Sequence, residues 1–253
     1  MTDRDRQGDA GLPTRPEAVP LELGRRHRQL AVGDEVTVTL PGSWSEQRVE
    51  DVLRGAGFTP LDRGQASRRD RHGVRGWRIA ARRERTLADT VGPGMALLCV
   101  GLNPSLYSAD VGVGFARPGN RFWPAMLAAG LVDTARDALA ALIDHGIGMT
   151  DLVKRATVAA AEVDVDEYRS GLGRVDRLAG WLQPHAVCII GLDGWRKVVD
   201  RRAVAGWQEH AVGGRPAYLM PNPSGLNAHA QVPDLAGHLR IAAAGPPRAG
   251  DRS

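Results

Sequence analysis

The chain has 253 residues, of which 43% are hydrophobic, and this size fits one large domain or one domain with a small module. It contains no long apolar run and no apolar core of a secretory signal, so we expect neither a transmembrane helix nor a membrane partner. The formal net charge of +4 suits a polyanionic partner without requiring one.

Both cysteines, Cys99 and Cys188, lie in apolar runs, LLCVG and AVCIIG. We therefore expect reduced core thiols in a cytoplasmic protein, associated with the nucleoid if the source is bacterial. Two cysteines are also too few for the four thiolates that hold a typical iron–sulfur cluster.

The chain begins and ends with segments rich in Pro, Gly, Arg and Asp. This composition predicts disordered tails over residues 1–20 and 244–253. Residues 21–85 are expected to form a small α+β module of unknown role, because a strand pattern over 34–40 precedes a helical stripe and two further strand-like runs.

Two details of this module carry expectations of their own. Ser43 and Glu46 have the spacing of a capping box, which predicts that the helix begins near Ser43. The loop over residues 63–76 is strongly basic. It fits either a solvated surface or an auxiliary contact with nucleic acid.

Residues 86–243 alternate strand-like with helix-like patterns, which favours an α/β domain with a parallel sheet and helices on both faces. The predicted elements are strands over 96–101, 186–192 and 215–221, and helices over about 120–130, 134–145, 166–182 and 232–242. The intervening segment 146–163, GIGMTDLVKRATVAAAEV, is predicted to be a loop. In such sheets, binding sites lie at the carboxyl ends of the strands.

Two unusual loops follow predicted strands. GLNPS begins at Gly101, and PNPSGLNAH occupies residues 221–229, so both are expected at one crevice. A side-chain amide such as that of Asn103 accepts a hydrogen bond from water and orients it. The alternative is that Asn103 only forms an Asx turn before Pro104.

These motifs carry a family resemblance. GLNPSLYSADVGVGFARPGNRFW, PNPSGLNAH and GMTDLVKRATVAAAEV resemble, in order and spacing, segments of the mismatch-specific uracil-DNA glycosylases, the family of bacterial mismatch uracil glycosylase and thymine-DNA glycosylase. The resemblance covers about residues 86–243 and implies a three-layer uracil-DNA-glycosylase-like fold with a central mainly parallel sheet. It also implies a base-excision repair enzyme. Such an enzyme flips the target nucleotide out of the duplex so that the base enters the active site.

The implied reaction is hydrolysis of the N-glycosidic bond of uracil, and of thymine or modified pyrimidines if they enter, opposite guanine in double-stranded DNA. The implied roles are water positioning by Asn103 and stacking of the base on Phe115. Gly101 and Leu102 begin the motif and are expected at the base. Backbone N–H groups near Leu102 and near Phe115 are expected to face the pyrimidine carbonyls. Ser108 aligns with a small residue near the pyrimidine C5 position.

The second motif looks like the loop of that family that enters the DNA duplex. Gly225 and Leu226 match the apolar wedge, and Asn222 and Ser224 either contact phosphate or hold the turn. Where a bacterial relative carries arginine two positions after the leucine, this chain has Ala228. Either His229, which follows, substitutes for that arginine, or the wedge is weaker.

The helix after the first motif is expected to begin at Asn120, with Arg117 and Arg121 placed to meet a phosphate. Phe122 and Trp123 are expected to be core residues.

The resemblance further implies a monomer that acts on duplex DNA with G·U or G·T mismatches, without metal or other cofactor. It implies an abasic product without strand cleavage, because the motifs place no lysine for Schiff-base chemistry. The main alternative is a catalytically weak or inactive DNA-binding protein on the same fold. A nucleotide-binding transferase is disfavoured, because no GxGxxG or P-loop follows a strand.

Overall fold

The computed structural model describes residues 15–62, 65–66, 76–227 and 230–247. The chain divides into two compact units, Met1–Glu84 and Arg85–Ser253. Within the described ranges, none of the helices combines the length and apolar character that a membrane span needs.

The first unit is a small antiparallel sheet with two helices. Strand β4 pairs antiparallel with each of the other three strands. The elements are a 3-10 turn Pro16–Ala18, α1 Val19–Gln29, β1 Glu35–Pro41, α2 Glu46–Gly55, β2 Phe58–Pro60, β3 Gln65–Ala66 and β4 Gly76–Arg83.

Two expectations for this unit were wrong. The predicted tail over residues 1–20 overlaps the 3-10 turn and the start of α1, because Val19 and Leu23 form an apolar stripe that is buried in the core. The helix α2 is capped by Ser45 rather than Ser43, since the Ser45 hydroxyl accepts a hydrogen bond from the backbone N–H of Arg48 at 3.3 Å. Most of the predicted basic loop lies outside the described residues.

The second unit is built on a five-stranded sheet in the order β6-β5-β7-β9-β8, in which only β8 runs antiparallel to its neighbour. This arrangement confirms the predicted α/β class with a central mainly parallel sheet. The strands are β5 Leu97–Gly101, β6 Ile147–Asp151, β7 Ala186–Ile190, β8 Gly206–Trp207 and β9 Ala217–Met220. The helices are α3 Leu106–Val111, α4 Phe122–Ala129, α5 Ala138–His145, α6 Val165–Leu182, α7 Leu192–Val198 and α8 Val232–Ala244.

The centre of the sheet is continuous apolar core. Every residue of β5, β6, β7 and β9 is buried. Cys99 and Cys188 are register partners across β5 and β7, both as free thiols. Burial raises the pKa of the Cys99 thiol to about 12, so this thiol stays protonated and unreactive. Phe122 and Trp123 are core residues, as predicted.

The segment predicted as the loop 146–163 begins instead with strand β6. The two glycines that suggested a loop have structural reasons of their own. Gly146 forms the left-handed end of α5 at φ +67°, and a Cβ at Gly148 would lie 2.1 Å from the Met95 sulfur. Gly148 is therefore a close-packing position inside a strand, and the strand ends at Asp151.

The long stretch after β5 contains a helix that the pattern did not indicate. Ser105 caps α3, and its hydroxyl accepts from the backbone N–H of Ser108 at 3.1 Å. The helix predicted over 134–145 begins only at Ala138, where the Asp137 carboxylate caps it.

Candidate active site

A cavity of about 580 Å³ opens in the second unit where β5, β6 and β7 end. Both unusual loops contribute to its wall, as the parallel sheet predicts. The lining includes seven of the predicted site residues, namely Leu102, Asn103, Ser108, Phe115, Asn222, Ser224 and Leu226. Gly101 and Gly225 do not line it, and His229 lies outside the described residues.

Asn103 is held by its amide nitrogen. The Nδ2 group donates to the Thr157 hydroxyl at 2.7 Å, the Arg155 carbonyl at 3.1 Å and the Pro104 carbonyl at 3.2 Å. All three partners are oxygens that accept, and this fixes which end of the amide is nitrogen. The Oδ1 atom has no protein partner within the described part of the chain, and Asn103 lines the cavity. This oxygen is therefore available to accept a hydrogen bond from water.

Phe115 forms an aromatic wall of the cavity. Its ring stacks on the buried ring of Phe122, with centroids 4.1 Å apart and planes 28° apart. The backbone of Phe115 has φ +57°, a conformation that a bulky residue adopts only where the surroundings enforce it. A half-buried ring supported on one face offers its other face to a flat ligand.

The pocket also contains donors and a small side chain. In the described residues, the backbone N–H groups of Leu102 and Phe115 have no acceptor, so they are free to donate to a ligand carbonyl. Ser108, on α3, is 3% exposed and its hydroxyl accepts from the Ser105 hydroxyl at 3.1 Å. A small side chain leaves room at this point of the wall.

Sequence reasoning missed Asp151, the last residue of β6 and the register partner of Gly101. This aspartate is only 8% exposed, yet it lines the cavity. A Cβ at Gly101 would lie 2.4 Å from the Asp151 Oδ1 and 3.2 Å from the Cζ of Phe115. Glycine at position 101 therefore makes room for a carboxylate beside the aromatic wall.

A buried ion cluster lies behind this carboxylate. The Asp89 carboxylate accepts from Lys154 at 2.7 Å, Arg174 at 2.8 Å and the Thr150 hydroxyl at 2.6 Å. Burial alone would raise the pKa of Asp89, but Arg174 and Lys154 hold it below its usual range. Arg174 also donates to the backbone carbonyl of Asp151 at 2.7 Å, which fixes the end of β6.

The loop after β9 is compact except for one side chain. The Asn222 carboxamide accepts from the backbone N–H of Ser224 at 3.0 Å, and Asn227 donates to the Asn222 carbonyl at 3.0 Å. A Cβ at Gly225 would lie 2.8 Å from the Gly119 carbonyl oxygen, so this glycine permits close backbone packing. Leu226 is 89% exposed at the rim of the cavity, more than any other large hydrophobic residue in the described part of the chain.

Arg121, predicted to meet a phosphate, is bonded within the protein through one guanidinium nitrogen. Its guanidinium donates to the carbonyls of Asn227 at 2.8 Å, Ala230 at 3.2 Å and Ser224 at 3.3 Å, so it anchors the loop that carries Leu226. Sequence reasoning missed this role because the partners lie more than 100 residues away. Asn120 does accept from the backbone N–H of Phe122 at 2.9 Å, near the predicted helix start.

Basic side chains border the site. Arg117 and Arg196 line the cavity, and a neighbouring cavity of about 480 Å³ is lined by Arg196, Lys197 and Arg201. The Lys197 ammonium lies 4.8 Å from the centroid of the Tyr168 ring. In the described ranges, no cluster of His, Cys, Asp and Glu side chains is arranged to hold a metal ion.

A pocket at the carboxyl edge of a parallel sheet, with an oriented amide, an aromatic wall and an apolar rim residue, suits an enzyme that handles an extruded base. Residues 88–239, more than half of the chain, match the family model of the uracil DNA glycosylase superfamily. The chain belongs to this superfamily, whose members are DNA glycosylases that act on DNA. The resemblance seen in the sequence is thereby confirmed at the level of the superfamily.

Proposed function

We propose that this protein is a monofunctional, mismatch-specific uracil-DNA glycosylase that removes uracil paired with guanine from double-stranded DNA. The observation that carries the proposal is the orientation of Asn103, a cavity-lining residue whose amide nitrogen donates to three acceptors while its oxygen has no partner among the described residues. That geometry is expected of a group that positions water, and an Asx turn alone would not require it.

In the proposed reaction, the bond between C1′ of the deoxyribose and N1 of uracil breaks, and its electron pair leaves with N1. A water on the Asn103 Oδ1 adds its oxygen to C1′ and loses one proton. The products are a free base and an abasic site. An amide is a weak base, so most of the rate is expected from stabilisation of the departing uracil anion.

Leaving-group stabilisation is assigned to the backbone N–H groups of Leu102 and Phe115, which are free to face the pyrimidine carbonyls. Stacking on Phe115 adds roughly 1–3 kcal/mol of binding free energy. Ser108 leaves space near C5 for a methyl or other substituent, so thymine and modified pyrimidines are secondary substrates in this proposal.

Discrimination for guanine is assigned to the loop after β9. Leu226 would occupy the space that the flipped nucleotide leaves, and the backbone at Gly225 would face the Watson–Crick edge of the orphaned guanine. Asn222 and Ser224 form hydrogen bonds within the loop. These bonds support a role in holding the loop that carries Gly225 and Leu226, rather than a contact with phosphate.

We propose that the protein has no lyase activity because of where its lysines lie. Lys154 is buried in its ion pair with Asp89, and Lys197 lines only the neighbouring cavity. No lysine among the described residues lines the base cavity, so none is placed for Schiff-base attack on C1′.

The test is excision from labelled duplexes with G·U, G·T and A·U pairs and from single-stranded uracil DNA, with Asn103→Ala as the paired variant. Excision from G·U that exceeds A·U and is lost in the variant supports the proposal. DNA binding without excision from any of these substrates would instead favour an inactive DNA-binding protein on the same fold.

A further inference from the structure

The side chain of Asp151 is an unpaired acid in the wall of the base cavity. Within the described residues, neither carboxylate oxygen accepts a hydrogen bond, although the residue is only 8% exposed and its backbone carbonyl accepts from Arg174. A buried polar group without a partner is costly, and one that lines a cavity is a candidate for function.

We infer that Asp151 is a second catalytic residue, which acts as the general base for the water that Asn103 orients. The inference rests on the proposed glycosylase function and deepens it. As the water oxygen bonds to C1′, one water proton moves to the Asp151 carboxylate, and the electron pair of the broken bond leaves with N1. The carboxylic acid then returns this proton to the departing base or to solvent.

The placement follows from the sheet. Gly101 and Asp151 are register partners at the ends of adjacent parallel strands, and Asn103 follows Gly101 by two residues. The space above Gly101 lies 2.4 Å from the Asp151 Oδ1 and 3.2 Å from the Phe115 ring edge. The carboxylate thus lies close to the edge of the Phe115 ring, and it lines the same cavity as Asn103.

The surrounding charges leave this carboxylate free to exchange a proton. Burial is the main influence on the pKa of Asp151 and raises it, Lys154 and Arg174 lower it, and Asp89 raises it, so that the pKa is about 6 in all. Both cations are already bound to Asp89, and neither donates to the Asp151 carboxylate. The other charged side chains on the cavity wall are Arg117, Asp193 and Arg196.

Such a group suits base catalysis near neutral pH. A carboxyl that titrates near 6 is mostly ionised at pH 7.5 and is a stronger base than an ordinary aspartate. A purely structural role explains the residue poorly, because a buried side chain that bonds nothing contributes only the cost of its desolvation.

The experiment is single-turnover excision of uracil from a G·U duplex by the wild-type protein, Asp151→Asn and Asp151→Ala between pH 5 and 9. The matched control is Asp144→Asn, an exposed aspartate that lines neither cavity. We expect the wild type to lose activity as the pH falls below about 6, and we expect Asp151→Asn to lack this acid limb. At pH 7.5 the variant should be slower by on the order of 10²-fold. Affinity for a duplex with a non-cleavable 2′-fluoro-deoxyuridine should stay within about twofold.

A second readout separates chemistry from folding. Formate added to Asp151→Ala should restore part of the lost rate, because it supplies a carboxylate where the side chain was removed. If the wild type excises uracil and Asp151→Asn does so at the same rate and with the same acid limb, the inference is overturned while the proposed function stands. Absence of wild-type excision from every substrate would overturn the proposed function and this inference with it.

Discussion

The amide nitrogen of Asn103 lies 2.7 Å from the hydroxyl oxygen of Thr157, 54 positions further along the chain. The Thr157 hydroxyl donates its own proton to the Ala159 carbonyl at 2.9 Å, so it can only accept from Asn103. This pair fixes the rotation of the Asn103 amide and leaves its oxygen without a partner among the described residues.

Replacement of Thr157 by valine should therefore lower excision, because it removes one acceptor that holds the Asn103 amide. Valine keeps the shape but removes the acceptor, at a cost of about 1 kcal/mol in orientation, and we expect a loss of roughly 5- to 10-fold in the single-turnover rate. Thr157→Ser should retain most of the rate. Equal rates for valine and threonine would show that the other two acceptors suffice to hold Asn103.

The sheet and the two loops were predictable because their signals are local. Runs such as LLCVG and AVCII are apolar throughout, which is typical of central parallel strands. The carboxyl ends of such strands share one edge, so the convergence of Asn103 and Leu226 at one cavity followed from topology. Strand β6 was missed because its glycines serve packing, and glycine otherwise indicates a turn.

The supporting residues were not predictable because their partners are distant in sequence. Arg121 looked like a phosphate ligand, and only the fold brings it to the carbonyls of Ser224 and Asn227. Asp151 lay within a segment predicted to be a loop, and a sequence pattern cannot indicate that a carboxylate will be buried without a partner.

The exposed leucine of the second loop leads to a prediction about duplex DNA. If Leu226 fills the space left by the flipped nucleotide, Leu226→Ala should reduce excision from a G·U duplex by roughly tenfold. Excision from single-stranded uracil DNA, which has no such space, should change little. Val111→Ala is the matched control, because Val111 is also an exposed apolar residue but lines neither cavity. A similar loss on both substrates would contradict the wedge role.

The buried acid leads to a prediction about stability and pH. The pKa of Asp151 is raised by folding to about 6, so the stability linked to its protonated form is complete below the unfolded pKa and is lost as pH rises through 6. Asp151→Asn should therefore be more stable than the wild type at pH 8 by about 2–3 kcal/mol, and this difference should shrink towards pH 4. Urea unfolding of both proteins at several pH values measures it. A pH-independent difference would show that Asp151 titrates as an ordinary surface acid.

The neighbouring cavity leads to a prediction about the DNA backbone. Lys197 and Arg201 line it, neither has an ion-pair partner in the described ranges, and its wall shares Leu102 and Arg196 with the base cavity. A strand whose nucleotide enters the base cavity has its adjacent phosphates close by, and cations that contact phosphates release counterions on binding. The double variant Lys197→Gln/Arg201→Gln should therefore weaken DNA binding and lower the slope of log affinity against log salt by about 2.

Arg240→Gln, which removes an exposed cation that lines neither cavity, should leave the slope unchanged. If the double variant and Arg240→Gln give the same slope, the strand does not cross this cavity, and the two cations act only through the net charge.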